Sequence, residues 1–127
     1  MARILIAEDE EALCAMSARA LSTAGHDVKT ACDGSEALDV LKREDGRFDL
    51  LLTDIRMPIM DGIALSLAAA RDYPDLTILL MTGYADQRER ASGLNVLIHD
   101  VIAKPFTLAT IRAAVDEALV VGAERWR

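Results

Sequence analysis

Residues 48–53 read Phe-Asp-Leu-Leu-Leu-Thr, and Asp54 follows directly. This run lacks the alternation of apolar and polar residues that marks a strand with one exposed face, so it predicts a strand buried on both faces. Residues 3–7 (RILIA) and 76–81 (LTILLM) are equally short and rich in branched side chains. Together the three runs predict a parallel sheet with helices on both sides.

Stretches with helical spacing lie between these runs. In the first stretch apolar residues recur at Leu13, Met16, Ala20 and Ala24, and in the last at Leu108, Ile111, Val115 and Leu119. Two weaker strands, at residues 27–31 and 100–103, complete five alternations of strand and helix. This order predicts an α/β fold of the (βα)5 type, a doubly wound sheet of five parallel strands. The fourth helix falls within residues 86–95, where apolar anchors are few, and we expect it to be short.

The composition indicates one domain. The chain has 127 residues, 52% of them hydrophobic, which suffices for a single core. We expect this domain to span residues 1–122 and residues 123–127 to form a short tail. A net charge of −7 argues against nucleic-acid binding, which depends on Lys and Arg. Only a few apolar residues precede Glu8, so we expect no signal peptide, no membrane span and a cytoplasmic location.

The two cysteines, Cys14 and Cys32, lack the spacing of a metal site or a redox motif. Free cysteines are commonly buried and carry no chemical role. We interpret both as thiols of that kind.

Polar residues stand where the apolar runs end. They are Glu8 and Asp9 after the first strand, Asp54 after the third, Thr82 after the fourth and Lys104 after the fifth. The carboxyl ends of parallel strands meet at one edge of the sheet, and ligands bind there, where the strand order switches. We therefore expect these residues to form one site.

Three carboxylates in such a cleft repel one another. At a separation of ~4 Å and an effective dielectric constant of ~20, each pair costs about 4 kcal/mol. A hard divalent cation with oxygen ligands relieves that repulsion, and Mg²⁺ is the expected one, served by Glu8 and Asp9 beside Asp54. Lys104 adds a positive charge without competing as a ligand.

A carboxylate beside Mg²⁺ and an ammonium group can attack phosphorus. Asp54, alone at the end of the most apolar strand, is the expected nucleophile. Thr82 can donate its hydroxyl to a phosphoryl oxygen. Taken singly, an acidic pair at a helix start or a Thr-Gly turn has an ordinary interpretation. The joint placement at strand ends favours a phosphoryl-transfer site.

Four motifs in this order resemble the receiver domains of two-component response regulators, of the CheY-like type. They are the acidic pair Glu8-Asp9, the segment DIRMPIMDG at residues 54–62, Thr82-Gly83, and Lys104-Pro105-Phe106. The similarity covers residues 2–119. It implies a flavodoxin-like sheet with strand order 2-1-3-4-5 and a receiver domain over residues 1–122.

The resemblance implies that Asp54 accepts a phosphoryl group from the phosphohistidine of a sensor histidine kinase or histidine phosphotransferase. It implies Mg²⁺ ligands at Asp9, Asp54 and the main-chain carbonyl of Arg56, with Glu8 acting through water. Lys104 would contact the phosphoryl group, and the bond between Lys104 and Pro105 would be cis, a form that costs little only before proline. The protein would be a phosphoacceptor switch in a phosphorelay and not an enzyme, with at most slow self-dephosphorylation.

Three positions are expected to modulate this switch. Val101 stands where the family usually has Tyr or Phe, and a valine cannot turn a ring inward when the Thr82 hydroxyl moves. Tyr84 is the nearest candidate to replace that ring. Arg56 and Tyr84 occupy the two variable positions beside the phosphoryl group, and we expect them to slow the attack of water on phospho-Asp54.

The chain also resembles the small alphaproteobacterial single-domain regulators of the CpdR kind, which share a Thr-Gly-aromatic sequence and a non-aromatic residue before the lysine. This likeness implies a stand-alone bacterial regulator whose signal leaves through a partner protein. The partner would bind the surface formed by the fourth helix, the fifth strand and the fifth helix, and would be a ClpXP-type protease.

Two other functions stay open. A Mg²⁺-dependent phosphohydrolase would share the aspartyl-phosphate chemistry, but Arg56 stands where such enzymes carry a second Asp as general acid. A phosphorylation-independent docking module would need none of the acceptor residues, all of which are present.

Overall fold

A computed structural model describes residues 2–83 and 97–125, except the side chains of residues 124 and 125. Within these ranges the strands are β1 (Arg3–Ala7), β2 (Asp27–Ala31), β3 (Leu50–Asp54), β4 (Thr77–Thr82) and β5 (Asp100–Ala103). The helices are α1 (Glu11–Thr23), α2 (Gly34–Arg43), α3 (Gly62–Asp72) and the C-terminal helix (Leu108–Arg125). The predicted fourth helix at residues 86–95 and Tyr84, which is predicted to modulate the switch, lie outside the described residues.

All strand pairs are parallel, and the order is β2-β1-β3-β4-β5. The predicted sheet is thereby confirmed. Ile4 pairs with Val28 on one side and with Leu50 on the other, which makes β1 an inner strand. The inner strands β1, β3 and β4 are the apolar runs from which the fold was predicted.

Both faces of the sheet are covered. On one face Leu5, Leu51 and Leu80 pack with buried residues of α2 and α3. On the other face Ile4, Leu52 and the other strand residues that point to that side pack with α1 and the C-terminal helix. Because successive strand residues point to opposite faces, an unbroken apolar run serves both cores at once.

Two inner strands end one residue later than predicted. β3 includes Asp54, which pairs with Met81, and β4 includes Thr82, which pairs with Ala103. Their polar side chains do not end the strands, because the neighbouring strand continues to supply backbone partners there. The same two residues are thus held by the sheet itself and not by a loop.

The C-terminal helix passes the predicted domain boundary at residue 122 and continues to Arg125. Gly122 allows this, since a Cβ on it would lie 2.4 Å from Thr77 Oγ1. Without a side chain the helix approaches the start of β4 closely and stays regular. None of the helices in the described ranges is long and apolar enough to span a membrane.

The buried face of α1 differs from the predicted one. The buried residues are Ser17, Ala20 and Leu21, whereas Met16 is 39% exposed. Helical spacing alone placed Met16 in the core with Ala20. The start of α1 lies beside the cleft at the sheet edge, so its apolar side chains face that cleft.

Candidate functional site

The carboxyl ends of β1 and β3 bring three carboxylates together. Glu8 and Asp9 follow the last residue of β1, and Asp54 is the last residue of β3. One oxygen from each of the three carboxylates lies within 4.8 Å of the others. Glu8 and Asp54 are buried, at 2% and 7% exposure, while Asp9 is exposed. The cluster lies where the strand order switches, with β2 on one side of β1 and β3 on the other.

Lys104, the residue after β5, reaches this cluster. Its ammonium group donates hydrogen bonds to Glu8 Oε1 at 2.7 Å and to Asp54 Oδ2 at 3.0 Å. Burial lowers the pKa of Lys104, but the hydrogen bonds to Glu8 and Asp54 outweigh it and the net shift is upward. Lys104 is therefore a fixed positive charge at neutral pH.

The cluster is suited to a divalent cation. Three carboxylates against one ammonium leave two negative charges when all four groups are ionised. Loss of hydration in the cleft raises the pKa of Asp9, and its hydrogen bond with Glu8 raises it further. The ionised cluster is thus short of positive charge, and its donors are all oxygen atoms. Hard cations such as Mg²⁺ prefer that donor set, so these residues fit a Mg²⁺ site.

Thr82 is fixed beside Lys104 at the ends of neighbouring strands. The Lys104 amide donates a hydrogen bond to the Thr82 carbonyl at 2.8 Å. Thr82 is 3% exposed, and the next residue, Gly83, lines the cleft. The structure therefore brings Thr82 to the same edge of the sheet as the acidic cluster.

The bond between Lys104 and Pro105 is cis, as predicted. Both residues line the cleft, together with Phe106. The chain thus turns directly after Lys104 and frames one side of the site.

The loop after Asp54 is packed tightly against it. A Cβ on Gly62 would lie 2.0 Å from the Asp54 carbonyl oxygen, and the Gly62 amide donates to the Ile55 carbonyl at 2.8 Å. No residue with a side chain fits at this position without displacing the backbone of Asp54. Asp61 and Gly62 are also more than the turn dipeptide that their sequence suggests, because the Asp61 side chain caps α3 by accepting from the Ala64 amide at 2.8 Å.

Ile59 holds an unusual backbone conformation in that loop. Its φ is +69°, and the Met60 amide donates to the Pro58 carbonyl at 2.7 Å, which closes a γ-turn around Ile59. A γ-turn with positive φ is the rare and strained kind, and a β-branched residue is poorly suited to it. The Ile59 side chain is also 84% exposed.

The site opens into a cleft of about 750 Å³. Besides the acidic residues and Lys104, its wall includes Leu13, Met16 and Phe106. Phe106 belongs to the Lys104-Pro105-Phe106 motif, whereas Leu13 and Met16 were not predicted to be part of the site. The signal that could have found them is the position of Leu13 and Met16 in the first turns of a helix that starts directly after the acidic pair.

Arg56 and Val101, the two described residues that are predicted to modulate the switch, lie in different surroundings. Arg56 is exposed and lines the cleft, two residues after Asp54. Val101 is half-buried and packs against the core shared with α2 and α3. Arg56 is thus placed to meet groups that enter the cleft, whereas Val101 is part of the core under β5.

Comparison with known proteins gives a consistent result. The model of the response regulator receiver domain family matches residues 4–116. Response regulator MprA of Mycobacterium avium is 36% identical over 111 residues, which are 87% of this chain and 48% of that protein. A CheY-like receiver domain protein from Methanospirillum hungatei superposes with a TM-score of 0.87 at 29% identity and 97% coverage of both chains.

A further solved structure is informative about ligands. Response regulator TrrA of Thermotoga maritima, solved in complex with Mg²⁺ and BeF, has a TM-score of 0.81 and 28% identity, covering 93% of this chain and 99% of that one. The chain spans about half or less of the length of the curated relatives it matches.

Proposed function

The chain belongs to the response regulator receiver domain family, and from that premise we propose that Asp54 accepts a phosphoryl group from a phosphohistidine. Receiver domains are phosphoacceptor switches of two-component systems. The observation that carries the proposal is the position of Asp54, whose carboxylate is in the acidic cluster with Glu8 and Asp9 and accepts a hydrogen bond from the Lys104 ammonium group. The described part of the chain contains no second cluster of three such side chains.

In the proposed transfer an Asp54 oxygen forms a bond to phosphorus while the bond between phosphorus and the imidazole nitrogen of the donor breaks. The donor imidazole leaves with the electron pair and takes up a proton. Lys104 releases its hydrogen bond to Asp54 Oδ2 and donates instead to a phosphoryl oxygen, where its charge offsets the growing negative charge. Glu8 keeps the ammonium group oriented through its own hydrogen bond.

Asp9, Asp54 and the Arg56 main-chain carbonyl would hold Mg²⁺, with Glu8 acting through water. The bound cation supplies charge compensation for the phosphoryl oxygens and relieves the repulsion within the acidic cluster. Family membership and the oxygen donor set support this assignment. Glu8 would then have two roles, because its carboxylate would contact Mg²⁺ through water and also accepts a hydrogen bond from Lys104.

Phosphorylation would act by shifting an equilibrium between two conformations of the same fold. To change the ratio of active to inactive conformation from 1:99 to 99:1, the phosphoryl contacts must favour the active conformation by about 5.5 kcal/mol. Thr82 and Lys104 would make those contacts, and their backbone hydrogen bond at the ends of adjacent strands supports a joint response of the two residues. Val101 lacks an aromatic ring, so the readout would run through Tyr84 or through backbone movement at Thr82.

The phosphoryl donor would be a sensor histidine kinase or a histidine phosphotransferase. The output would pass to a protein partner at the surface of β5, the C-terminal helix and residues 86–95, as in regulators of the CpdR kind, and that partner would be a ClpXP-type protease. Pull-down with and without beryllofluoride tests this part separately from the phosphoacceptor chemistry. A partner that binds equally in both states would contradict the switch.

The proposed function is tested with acetyl phosphate and Mg²⁺. We expect intact-mass spectrometry to show one added phosphoryl group on the wild type and none on Asp54→Asn. EDTA should prevent the addition. Rapid repeated turnover of acetyl phosphate would instead indicate a hydrolase, and no addition under any condition would indicate a docking module.

A further inference from the structure

A second crevice, of about 480 Å³, lies between α1 and the end of β2. The α1 side is lined by Cys14, Ala15 and Ala18 and the β2 side by Thr30, Ala31 and Cys32, and the acidic residues Glu8, Asp9 and Glu11 complete the wall. Both cysteines of the protein thus border the same small space. Their spacing of 18 positions in the sequence gave no sign of this.

Two features place the thiols near each other. Cys14 and Cys32 face the same crevice, from its α1 side and its β2 side, and Thr30 beside Cys14 is two residues before Cys32. Burial raises the pKa of Cys14, and the charges of Glu8 and Cys32 raise it further. A charge on one thiol therefore acts on the other.

Cys32 can adjust its position. It lies between the last residue of β2 and the helix cap Asp33, beyond the strand pairing that ends at Ala31. Its amide donates a hydrogen bond to the Glu36 carboxylate at 3.2 Å, in an exposed position. Cys32 can therefore shift toward α1 without breaking the pairing of β1 and β2. Two cysteines that are too far apart for a disulfide can be linked only if the backbone of at least one of them moves.

The two thiols differ in access. Cys32 is exposed, whereas Cys14 is half-buried in the wall of the crevice. An oxidant reaches Cys32 first, and Cys14 is then the neighbour that can resolve the product. Redox-sensitive sites commonly have an accessible cysteine beside a resolving one and a low pKa at the accessible thiol; this pair has the first feature, whereas nearby carboxylates raise the pKa of Cys32.

We propose that Cys14 and Cys32 form a redox pair, which a low-molecular-weight disulfide such as oxidised glutathione converts to an intramolecular disulfide across the crevice. In the first step the Cys32 sulfur bonds to one glutathione sulfur while the bond between the two glutathione sulfurs breaks. In the second step the Cys14 sulfur attacks Cys32, and the second glutathione leaves. Two protein thiols are oxidised, one disulfide is reduced to two thiols, and the protons of the protein thiols pass to the departing glutathione thiolates.

The charge of the Glu36 carboxylate is the main cause that raises the pKa of Cys32, and the charges of Asp33 and Glu11 add to it. The thiolate is the attacking form, so the reaction is slow at neutral pH and is best followed in mildly alkaline buffer. The inference does not depend on the proposed role of Asp54, because neither thiol takes part in phosphoryl transfer.

The test treats the folded protein with oxidised glutathione and follows it by intact-mass spectrometry and peptide mapping. We expect the wild type to lose about 2 Da, to yield a linked Cys14–Cys32 peptide and to stay monomeric. Cys14→Ser should instead keep a stable glutathione adduct on Cys32. Dithiothreitol should restore the starting mass.

A urea-unfolded sample separates native proximity from chance closure of the chain. We expect the second step to be at least about tenfold faster in the folded protein, because the fold holds the thiols at a higher effective concentration. The proposal is overturned by a stable glutathione adduct on wild-type Cys32, by linkage only between molecules, by equal rates in the two states, or by thiols that react only after unfolding.

Discussion

The Lys104 ammonium group donates a hydrogen bond to Asp54 Oδ2 across 3.0 Å, although 50 positions separate the two residues in the sequence. The same ammonium group is 2.7 Å from Glu8 Oε1. Lys104, which follows β5, therefore joins the carboxyl ends of β1, β3 and β5. It holds the Asp54 carboxylate in place and offsets part of the charge of the acidic cluster.

Replacing this lysine should destabilise the protein. In Lys104→Met the buried carboxylate of Glu8 loses its partner, and removal of one member of a buried ion pair is strongly destabilising. Lys104 keeps 19% exposure of its side chain, so we expect a moderate loss of about 2–3 kcal/mol in the free energy of unfolding without Mg²⁺. Urea denaturation measures it, and added Mg²⁺ should narrow the difference.

Lys29→Met is the matched control for this variant. Lys29 is 46% exposed and lies 3.6 Å from Glu44, in a surface pair of the kind that contributes little. Its removal should leave the urea midpoint unchanged. An equal loss in the two variants would show that the Lys104 contacts add nothing beyond ordinary surface charge.

Asp9→Asn should stabilise the metal-free protein. The raised pKa of Asp9 means that the folded state binds this proton more tightly than the unfolded state. The contribution of the ionised group to stability is therefore unfavourable, and it grows as the pH rises through the unfolded pKa of about 3.9 toward the folded one. The new side chain in Asp9→Asn carries no charge, so this variant avoids the loss of folding free energy.

Denaturation midpoints from about pH 4 to about pH 7 check this prediction for Asp9. Without Mg²⁺ we expect the gain in Asp9→Asn to be larger at the neutral end. Added Mg²⁺ should raise the denaturation midpoint of the wild type and should raise that of Asp9→Asn by a smaller amount. A variant that is less stable than the wild type without metal would contradict the account of the acidic cluster.

Gly62→Ala should disturb the acceptor. The added methyl group would collide with the Asp54 carbonyl, and overpacking of this kind costs about 1–3 kcal/mol. We expect both lower stability and slower labelling by acetyl phosphate. Gly83→Ala is the control at the same end of the sheet, because its Cβ would lie 3.7 Å from the nearest neighbour, the Lys104 Cβ. Similar behaviour of the two variants would refute the steric argument.

Ile59→Gly should stabilise the protein. Glycine accepts the positive φ of +69° without strain, and the lost side chain is 84% exposed. We expect a gain of about 1 kcal/mol in the free energy of unfolding, the usual size of a relieved left-handed residue. Ile59→Val keeps the branched Cβ and should show no gain. If glycine brings no gain over valine, the γ-turn stores no strain.

Arg56→Asn should shorten the life of the phosphorylated state. Arg56 lines the cleft and can make paired hydrogen bonds to phosphoryl oxygens, which crowds the approach of water. We expect loss of phosphate to speed up about tenfold, equivalent to about 1.4 kcal/mol in activation free energy. Arg56→Lys keeps the positive charge but lacks the planar guanidinium group, so its rate of phosphate loss should lie between the rates of the wild type and Arg56→Asn. Unchanged or slower loss in Arg56→Asn would remove Arg56 from the modulating residues.

The sheet and the gathering of the acidic cluster could be predicted because both depend on local chain properties. Apolar runs such as 50–52 must be buried on both faces, and polar residues at their carboxyl ends then meet by topology. The cis bond before Pro105 followed from the family resemblance. The sequence was thus sufficient for the parts of the site that lie on the sheet.

Features that depend on packing between elements could not be predicted. The spacing of Leu13 and Met16 fits a core-facing helix, and only the orientation of α1 shows that they line the cleft. The γ-turn at Ile59 arises because the loop is confined between Gly62 and the start of α2, where the Gly34 amide binds the Met60 carbonyl. No known sequence pattern predicts a γ-turn with positive φ at a β-branched residue.

The most direct test of the central claim locates the phosphoryl group. The protein is treated with acetyl phosphate and Mg²⁺, the acyl phosphate is reduced with borohydride, and peptides are sequenced by mass spectrometry. We expect residue 54 alone to be converted to homoserine, and only when Mg²⁺ is present. Conversion at another carboxylate, or equal conversion in the presence of EDTA, would contradict the assignment of Asp54 as the phosphoacceptor.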